Sequence, residues 1–218
     1  MPHFVVGKLL KKPFEEIAFF KSKGIQKINV LDPIFNVGDR PCKILSEIKR
    51  VGLNAKISLQ CRFENLVDTQ QGKKFLELCA DMNVHLEFGL QTAIASESEV
   101  VNRKNKIDKV AKAMLMLKEY GISYEVSLIY GLPTQTVESF QRSIAFVHEN
   151  KCAYITAFPL MLLKGTNLYA EKEKWGMQEN ILGDFNIPLV TCINSFTYDN
   201  WLSMKEIAES LEGNKRFM

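Results

Sequence analysis

Closely spaced cysteines are missing from this sequence. Its five cysteines, Cys42, Cys61, Cys79, Cys152 and Cys192, form no CxxC, CxxxC or CxxH pair. Compact zinc and iron–sulfur sites need neighbouring thiolates, so none of the five is expected to ligate a metal. An odd, scattered set is the pattern of reduced, buried thiols in a cytosolic protein. Histidine is scarce as well: His3, His85 and His148 stand far apart. No apolar run approaches the roughly 18 residues of a spanning helix. The opening MPHFVVGKLLKKP lacks the apolar stretch and small-residue cleavage site of a signal peptide. Charge of one sign is not in excess either. Lysine and arginine number 28 against 25 aspartate and glutamate, a net charge of +3, which excludes a strong nucleic-acid footprint. The expectation is a soluble, cytoplasmic chain with no membrane or nucleic-acid partner. Its 218 residues, 46% of them apolar, suit one large domain.

What the sequence does hold is repetition. Strand-like runs are expected at Ile25–Asp32, Ala55–Arg62, Val84–Gln91, Ser123–Gly131 and Ala153–Pro159. Their centres lie about 30 to 38 residues apart, the span of a βαβ unit. Between them run amphipathic helices. Phe75, Leu78, Cys79 and Met82 make one apolar stripe, Ile107, Val110, Met114 and Leu117 a second, Phe140, Ile144 and Val147 a third. Pro13 opens a first helix, Pro13–Ser22, and Gly24 and Gly121 mark helix ends just before strands. Strand and helix in alternation predict an α/β fold with a parallel sheet, open or rolled into a barrel.

The strands themselves alternate. Ile57, Leu59 and Cys61 interleave with Lys56, Ser58, Gln60 and Arg62; Leu86, Phe88 and Leu90 with Glu87, Gly89 and Gln91; Tyr124, Val126, Leu128 and Tyr130 with Glu125, Ser127 and Ile129. A parallel sheet covered on both faces reads as nearly continuous apolar residues. Helices are therefore expected on one face only, the other lining a polar interior or a solvent cleft. Chemistry in such folds sits at the carboxyl ends of the strands. Those ends offer Asp32-Pro33-Ile34-Phe35-Asn36, Arg62, Gln91-Thr92, Tyr130-Gly131-Leu132-Pro133 and Pro159-Leu160. None holds a nucleophile–base pair or a metal set, so no catalytic residue and no metal ligand is assigned. They suit hydrogen bonding to a bound cofactor.

Taken in order, five segments resemble the radical S-adenosylmethionine (SAM) superfamily, most of all its cobalamin-binding-domain-associated members. They are Leu31-Asp32-Pro33-Ile34-Phe35-Asn36; Glu87-Phe88-Gly89-Leu90-Gln91-Thr92; Asn102-Arg103-Lys104; Leu128 to Thr136 with Glu138 and Phe140; and Phe158-Pro159-Leu160 followed by Leu163 to Leu168. The resemblance implies a partial (β/α) barrel over residues 1–176 with a C-terminal extension, 177–218, packing on it. It implies SAM and a [4Fe-4S] cluster as cofactors, the cluster reducing SAM to a 5′-deoxyadenosyl radical, with cobalamin a further cofactor in a full-length protein. By position, Asp32, Phe35 and Asn36 take the place of the loop near the SAM amino group. Gln91, with Glu87 behind it, meets ribose or methionine polar groups, and Arg103 pairs with the SAM carboxylate. Ile129 and Gly131 pack on adenine, and Phe158 and Leu160 read its edge. Each also has a plain structural reading, Gln91 and Arg103 as hydrogen-bonded rim residues and Gly131 as a turn former.

The departure from that family is large. Its CxxxCxxC loop, which follows the first strand and supplies three thiolates to the cluster, has no counterpart here. The helix Pro13–Ser22 matches the one after that loop, so the chain is expected to begin just downstream of the motif, as a fragment or a degenerate member. Without a first strand, Ile25–Asp32 would expose an unpaired edge, which Phe4-Val5-Val6 could cover. Two functions follow: a radical SAM core, catalytic only when joined to a missing N-terminal domain, or an inactive β/α scaffold binding a nucleotide-like ligand or a partner. A conventional barrel lyase or isomerase fits less well, with about five βα units.

Overall fold

Threonine or proline starts several helices of this protein. Thr69 Oγ1 accepts the Gly72 N–H at 2.9 Å, and Thr136 and Ser139 exchange side-chain and backbone bonds in a capping box. The computed structural model describes residues 4–7, 13–103, 105–152, 154–181 and 188–212. In chain order the elements are β1 (Phe4–Gly7), α1 (Pro13–Ser22), β2 (Lys27–Leu31), α2 (Arg40–Val51), β3 (Lys56–Cys61), α3 (Gln70–Ala80), β4 (Val84–Gln91), α4 (Ala95–Val100), α5 (Ile107–Glu119), β5 (Ser123–Tyr130), α6 (Val137–Glu149), β6 (Tyr154–Pro159), α7 (Asn167–Ala170), β7 (Gln178–Asn180), β8 (Leu189–Cys192) and α8 (Tyr198–Glu212). Strands β1 to β6 follow one another in a single sheet, and β7 and β8 form a separate ribbon. The expected α/β alternation is present. Ala153, where the last strand was expected to start, and Lys104 lie outside the described residues.

The chain divides into two compact units, Met1–Gly89 with Lys106–Glu125, and Leu90–Asn105 with Val126–Met218. In the first, β1 pairs in parallel with β2, Phe4 opposite Ile28 and Val6 opposite Val30. The edge of β2 is thus covered by Phe4-Val5-Val6, the segment the sequence offers for that pairing. Parallel pairing continues through β3 and β4, with Gln60 opposite Glu87 and Cys61 opposite Phe88. Leu45, Ile57, Leu59, Leu76, Leu86 and Phe88 are buried at the centre of this unit. Phe63 stacks on Phe88 with centroids 4.1 Å apart, and Tyr124 meets Phe88 edge-on. The α3 stripe differs in detail from expectation. Gly72, Phe75, Leu76 and Cys79 are buried, while Leu78 and Met82 are half-buried, a rotation of the helix toward Leu76.

In the second unit α6 buries Phe140, Ile144 and Val147, as expected, and α8 buries Trp201, Met204 and Ala208. Tyr130 sits between Phe140 and Trp201 at 5.9 and 5.8 Å. The antiparallel β7–β8 ribbon lies where sequence periodicity is weak. Along β4 from Leu86 onward, and along β5, burial alternates residue by residue, the two-faced pattern the sequence predicts. No helix among the described residues is long and apolar enough to cross a membrane.

Gly72 yields a test. A methyl group there would stand 2.5 Å from the Leu66 carbonyl oxygen and 2.7 Å from that of Asn65. Glycine to alanine in an open helix stabilises by up to about 1 kcal/mol. Here the backbone contact reverses the sign, and Gly72→Ala is expected to destabilise by about 1–3 kcal/mol. Urea unfolding reads the difference, and a raised midpoint would refute the packing argument.

Candidate functional site

In the first unit the chain leaves β2 through Asp32. Its buried carboxylate accepts the Ile34 N–H at 3.2 Å and binds the Arg40 guanidinium. Phe35 donates its N–H to Gln60 O at 2.8 Å and buries its ring beside Phe75. Asn36 is committed on both ends of its amide: Oδ1 accepts the Arg62 N–H at 2.9 Å and Nδ2 donates to Arg62 O at 2.8 Å. Asp32, Phe35 and Asn36 thus come together at the carboxyl ends of β2 and β3. Their polar atoms hold the loop. Glu87 is half-buried on the polar face of β4. His85 is buried at the opposite end of that strand, with Nδ1 2.8 Å from Ser123 Oγ.

In the second unit Gln91 ends β4 with φ +64°, a left-handed conformation unusual for a residue with a side chain. Asn105 holds the backbone on either side of it, Nδ2 donating to Leu90 O at 2.7 Å and Thr92 O at 3.3 Å. The Asn105 N–H donates to Arg103 O at 2.8 Å, so Gln91 and Arg103 are tied through one residue. Gln91 Oε1 is buried and finds no hydrogen-bond partner among the described residues. An unsatisfied buried oxygen costs about 1–3 kcal/mol, and the left-handed backbone about 1–2 kcal/mol more. Such costs cluster where a ligand completes the structure.

Ile129, Gly131 and Leu160 are also brought together. Leu160 donates its N–H to Tyr130 O at 2.8 Å and accepts the Val190 N–H at 3.0 Å. The Leu160 backbone is therefore engaged within the protein, and Phe158 is the exposed one of the pair. Gly131 has φ +90°, and a Cβ there would lie 3.2 Å from Val190 O. Both the conformation and the close approach call for glycine.

One cluster in this unit escaped the sequence reading. Glu97 is 1% exposed. It accepts hydrogen bonds from Thr92 Oγ1 at 2.5 Å, Ser139 Oγ at 2.5 Å and Gln135 Nε2 at 3.2 Å. In sequence it sits in Ala95-Ser96-Glu97-Ser98-Glu99, which reads as a solvated turn. Its partners arrive from 38 and 42 residues away.

The thiols are quiet. Cys42, Cys61, Cys79 and Cys152 are buried. Burial pushes the Cys61 and Cys79 thiols well above the ordinary thiol range, and neighbouring sulfur reinforces it. No group of three or more His, Cys, Asp or Glu side chains suited to a metal ion occurs among the described residues.

The backbone strain at Gln91 gives a second test. Gln91→Gly is expected to leave stability unchanged or to raise it by up to about 1 kcal/mol, since the left-handed cost disappears. A clear loss in urea unfolding would show that the side chain, not the turn, anchors this segment.

No protein-family model and no curated protein sequence matches the chain. Solved structures do. Archaeal Methanocaldococcus infernus Elp3, with residues 1–46 deleted, matches with a TM-score of 0.65 at 13% identity, covering 96% of this chain and 53% of that one. The radical SAM methyltransferase TsrM from Kitasatospora setae, with tryptophan and a SAM analogue bound, matches with a TM-score of 0.63 at 16% identity, over 78% of this chain and 35% of that one. A second TsrM structure carries cobalamin and a [4Fe-4S] cluster. Escherichia coli coproporphyrinogen III oxidase, HemN, a radical SAM enzyme, matches with a TM-score of 0.62 at 18% identity, over 94% of this chain and 44% of that one. The chain spans about half the length of these proteins or less. At such identities the likeness is one of architecture: this chain has the α/β partial-barrel fold of the radical SAM enzymes.

Proposed function

We propose that this chain is a SAM-binding domain of the radical SAM type that, as it stands, assembles no [4Fe-4S] cluster. The observation that carries the first half is Gln91. A buried amide oxygen without a partner, on a left-handed residue at the end of a β-strand, is the position that the family resemblance gives to the ribose or methionine polar groups. The other assignments also belong to the second unit: Arg103 for the carboxylate, Ile129 and Gly131 for the adenine face, Phe158 and Leu160 for its edge. In the first unit Asp32, Phe35, Asn36 and Glu87 are the corresponding candidates, with Asp32, a carboxylate already paired with Arg40, the one nearest in kind to an amino-group partner. SAM, when bound, supplies a sulfonium and an adenosyl group; the chain's part is to orient it and exclude water.

The residues present do not fit the cluster. A [4Fe-4S] site needs thiolates close together. The connector from β1 to α1, where the family's cysteine loop falls, contains Lys8-Leu9-Leu10-Lys11-Lys12 and no cysteine. Burial pushes the Cys61 and Cys79 thiols up, away from the thiolate form that a cluster ligand takes. This connector favours the second reading in one respect: a domain that binds a nucleoside ligand without radical chemistry of its own.

Isothermal titration with SAM and S-adenosylhomocysteine tests the binding. We expect one site per chain, and Gln91→Ala to weaken it about threefold to tenfold, the worth of one hydrogen bond. Anaerobic reconstitution with iron and sulfide, followed by absorbance and EPR, tests the rest. We expect no reducible cluster signal. Failure to bind either nucleoside, or a reducible [4Fe-4S] spectrum, would overturn the respective half.

A further inference from the structure

Side-chain amides are ambiguous by shape, since oxygen and nitrogen occupy nearly the same volume. The neighbours decide which end points where. Gln135 is buried, and its four contacts divide cleanly. Oε1 accepts the Gly131 N–H at 2.7 Å and the Leu132 N–H at 3.2 Å. Nε2 donates to Ile129 O at 3.2 Å and to Glu97 Oε2 at 3.2 Å. Reversing the amide would set a donor against two donors and an acceptor against two acceptors.

We infer that Glu97 is a positioning residue. Through Gln135 it fixes the shape of the Gly131–Leu132 turn, and through Thr92 it fixes the segment that follows Gln91. Thr92 donates to the same carboxylate oxygen, Oε2, at 2.5 Å, and accepts the Ile94 N–H at 3.0 Å. Ser139 Oγ occupies the other oxygen, Oε1, at 2.5 Å, and ties the first turn of α6 to the same group. One buried carboxylate therefore joins the end of β4 to the turn after β5. These two segments carry Gln91 and Gly131. The inference rests on the SAM-binding reading for its functional consequence. The link from Glu97 to the turn stands on geometry alone.

The orientation argument separates volume from hydrogen bonding. Glu97→Leu keeps the bulk and removes every acceptor. It leaves Gln135 with one acceptor, Ile129 O, to hold Nε2. Glu97→Gln keeps an oxygen for Gln135 and Thr92, and turns its nitrogen to Ser139 Oγ, which can accept.

Hydrogen exchange at the Gly131 and Leu132 amides and titration with SAM, on the full chain, test the inference. In Glu97→Leu both amides are expected to exchange about threefold to tenfold faster, and SAM affinity to fall by a similar factor. In Glu97→Gln both are expected to return close to wild type. Should Glu97→Leu not fold, Glu97→Met makes the same test. It is unbranched and close to glutamate in length, removes the same acceptors while leaving Gln135 in place, and is expected to raise the same two exchange rates. Unchanged exchange in Glu97→Leu or Glu97→Met overturns the inference, as does a Glu97→Gln variant no better than Glu97→Leu. If the wild-type chain binds no SAM, the binding proposal fails by itself, and the exchange rates still decide the role of Glu97.

Discussion

A parallel strand must leave the sheet at its carboxyl end, and the backbone groups there lose their ladder partners at that point. In this protein side-chain amides take over. Asn36 closes the end of β3 by pairing with both the N–H and the C=O of Arg62. Asn105 closes the end of β4 from the carbonyls of Leu90 and Thr92. Gln135 closes the end of β5 by serving Ile129, Gly131 and Leu132. An amide is the natural group for this task because it carries a donor and an acceptor in one plane, as the peptide does. The segments that follow β3, β4 and β5 are held by these three residues.

That division of labour sorts the candidate site. An amide engaged at both ends has little capacity left for a ligand, so Asn36 is a clamp before it is a ligand contact. The same holds for the backbone of Leu160, which is already bonded to Tyr130 and Val190. Gln91 is different. It has the same side-chain chemistry as Gln135, yet its oxygen is unpaired, while Gln135 makes every bond open to it. Two glutamines near neighbouring strand ends thus hold opposite states, one satisfied by the fold and one with a buried oxygen left unpaired among the described residues.

Much of the architecture was legible in the sequence, because it follows from periodicity. The span of β4 and the helix Pro13–Ser22 agree with the expected bounds to the residue. Alternating burial along β4 and β5 follows directly from Glu87, Gln91, Glu125 and Ser127 standing between apolar neighbours. What periodicity carries poorly is rotation and long-range pairing. Leu76 and Leu78 are both leucines on one helix, and only packing decides which is buried. Glu97 looks like a surface residue because its partners, Gln135 and Ser139, lie in another element. The β7–β8 ribbon has strands of three and four residues, too short to establish a period.

The costs concentrated at Gln91 argue for function in a way that proximity alone does not. A left-handed glutamine could be relieved by a single change to glycine, and its unpaired oxygen by many. The fold moreover reinforces the strain: Asn105 bonds the carbonyls on both sides of Gln91 and so holds the turn in place. A stabilising contact spent on maintaining an unfavourable conformation makes sense if that conformation is what presents the side chain. Gly131 supplies the complementary case in the same unit. There the left-handed turn uses glycine, costs little, and is locked by Gln135. Strain falls at the position that keeps a long polar side chain and is avoided at the position that offers only backbone. The two strand ends differ in the way expected if Gln91, and not the turn after β5, provides the polar contact that selects a ligand.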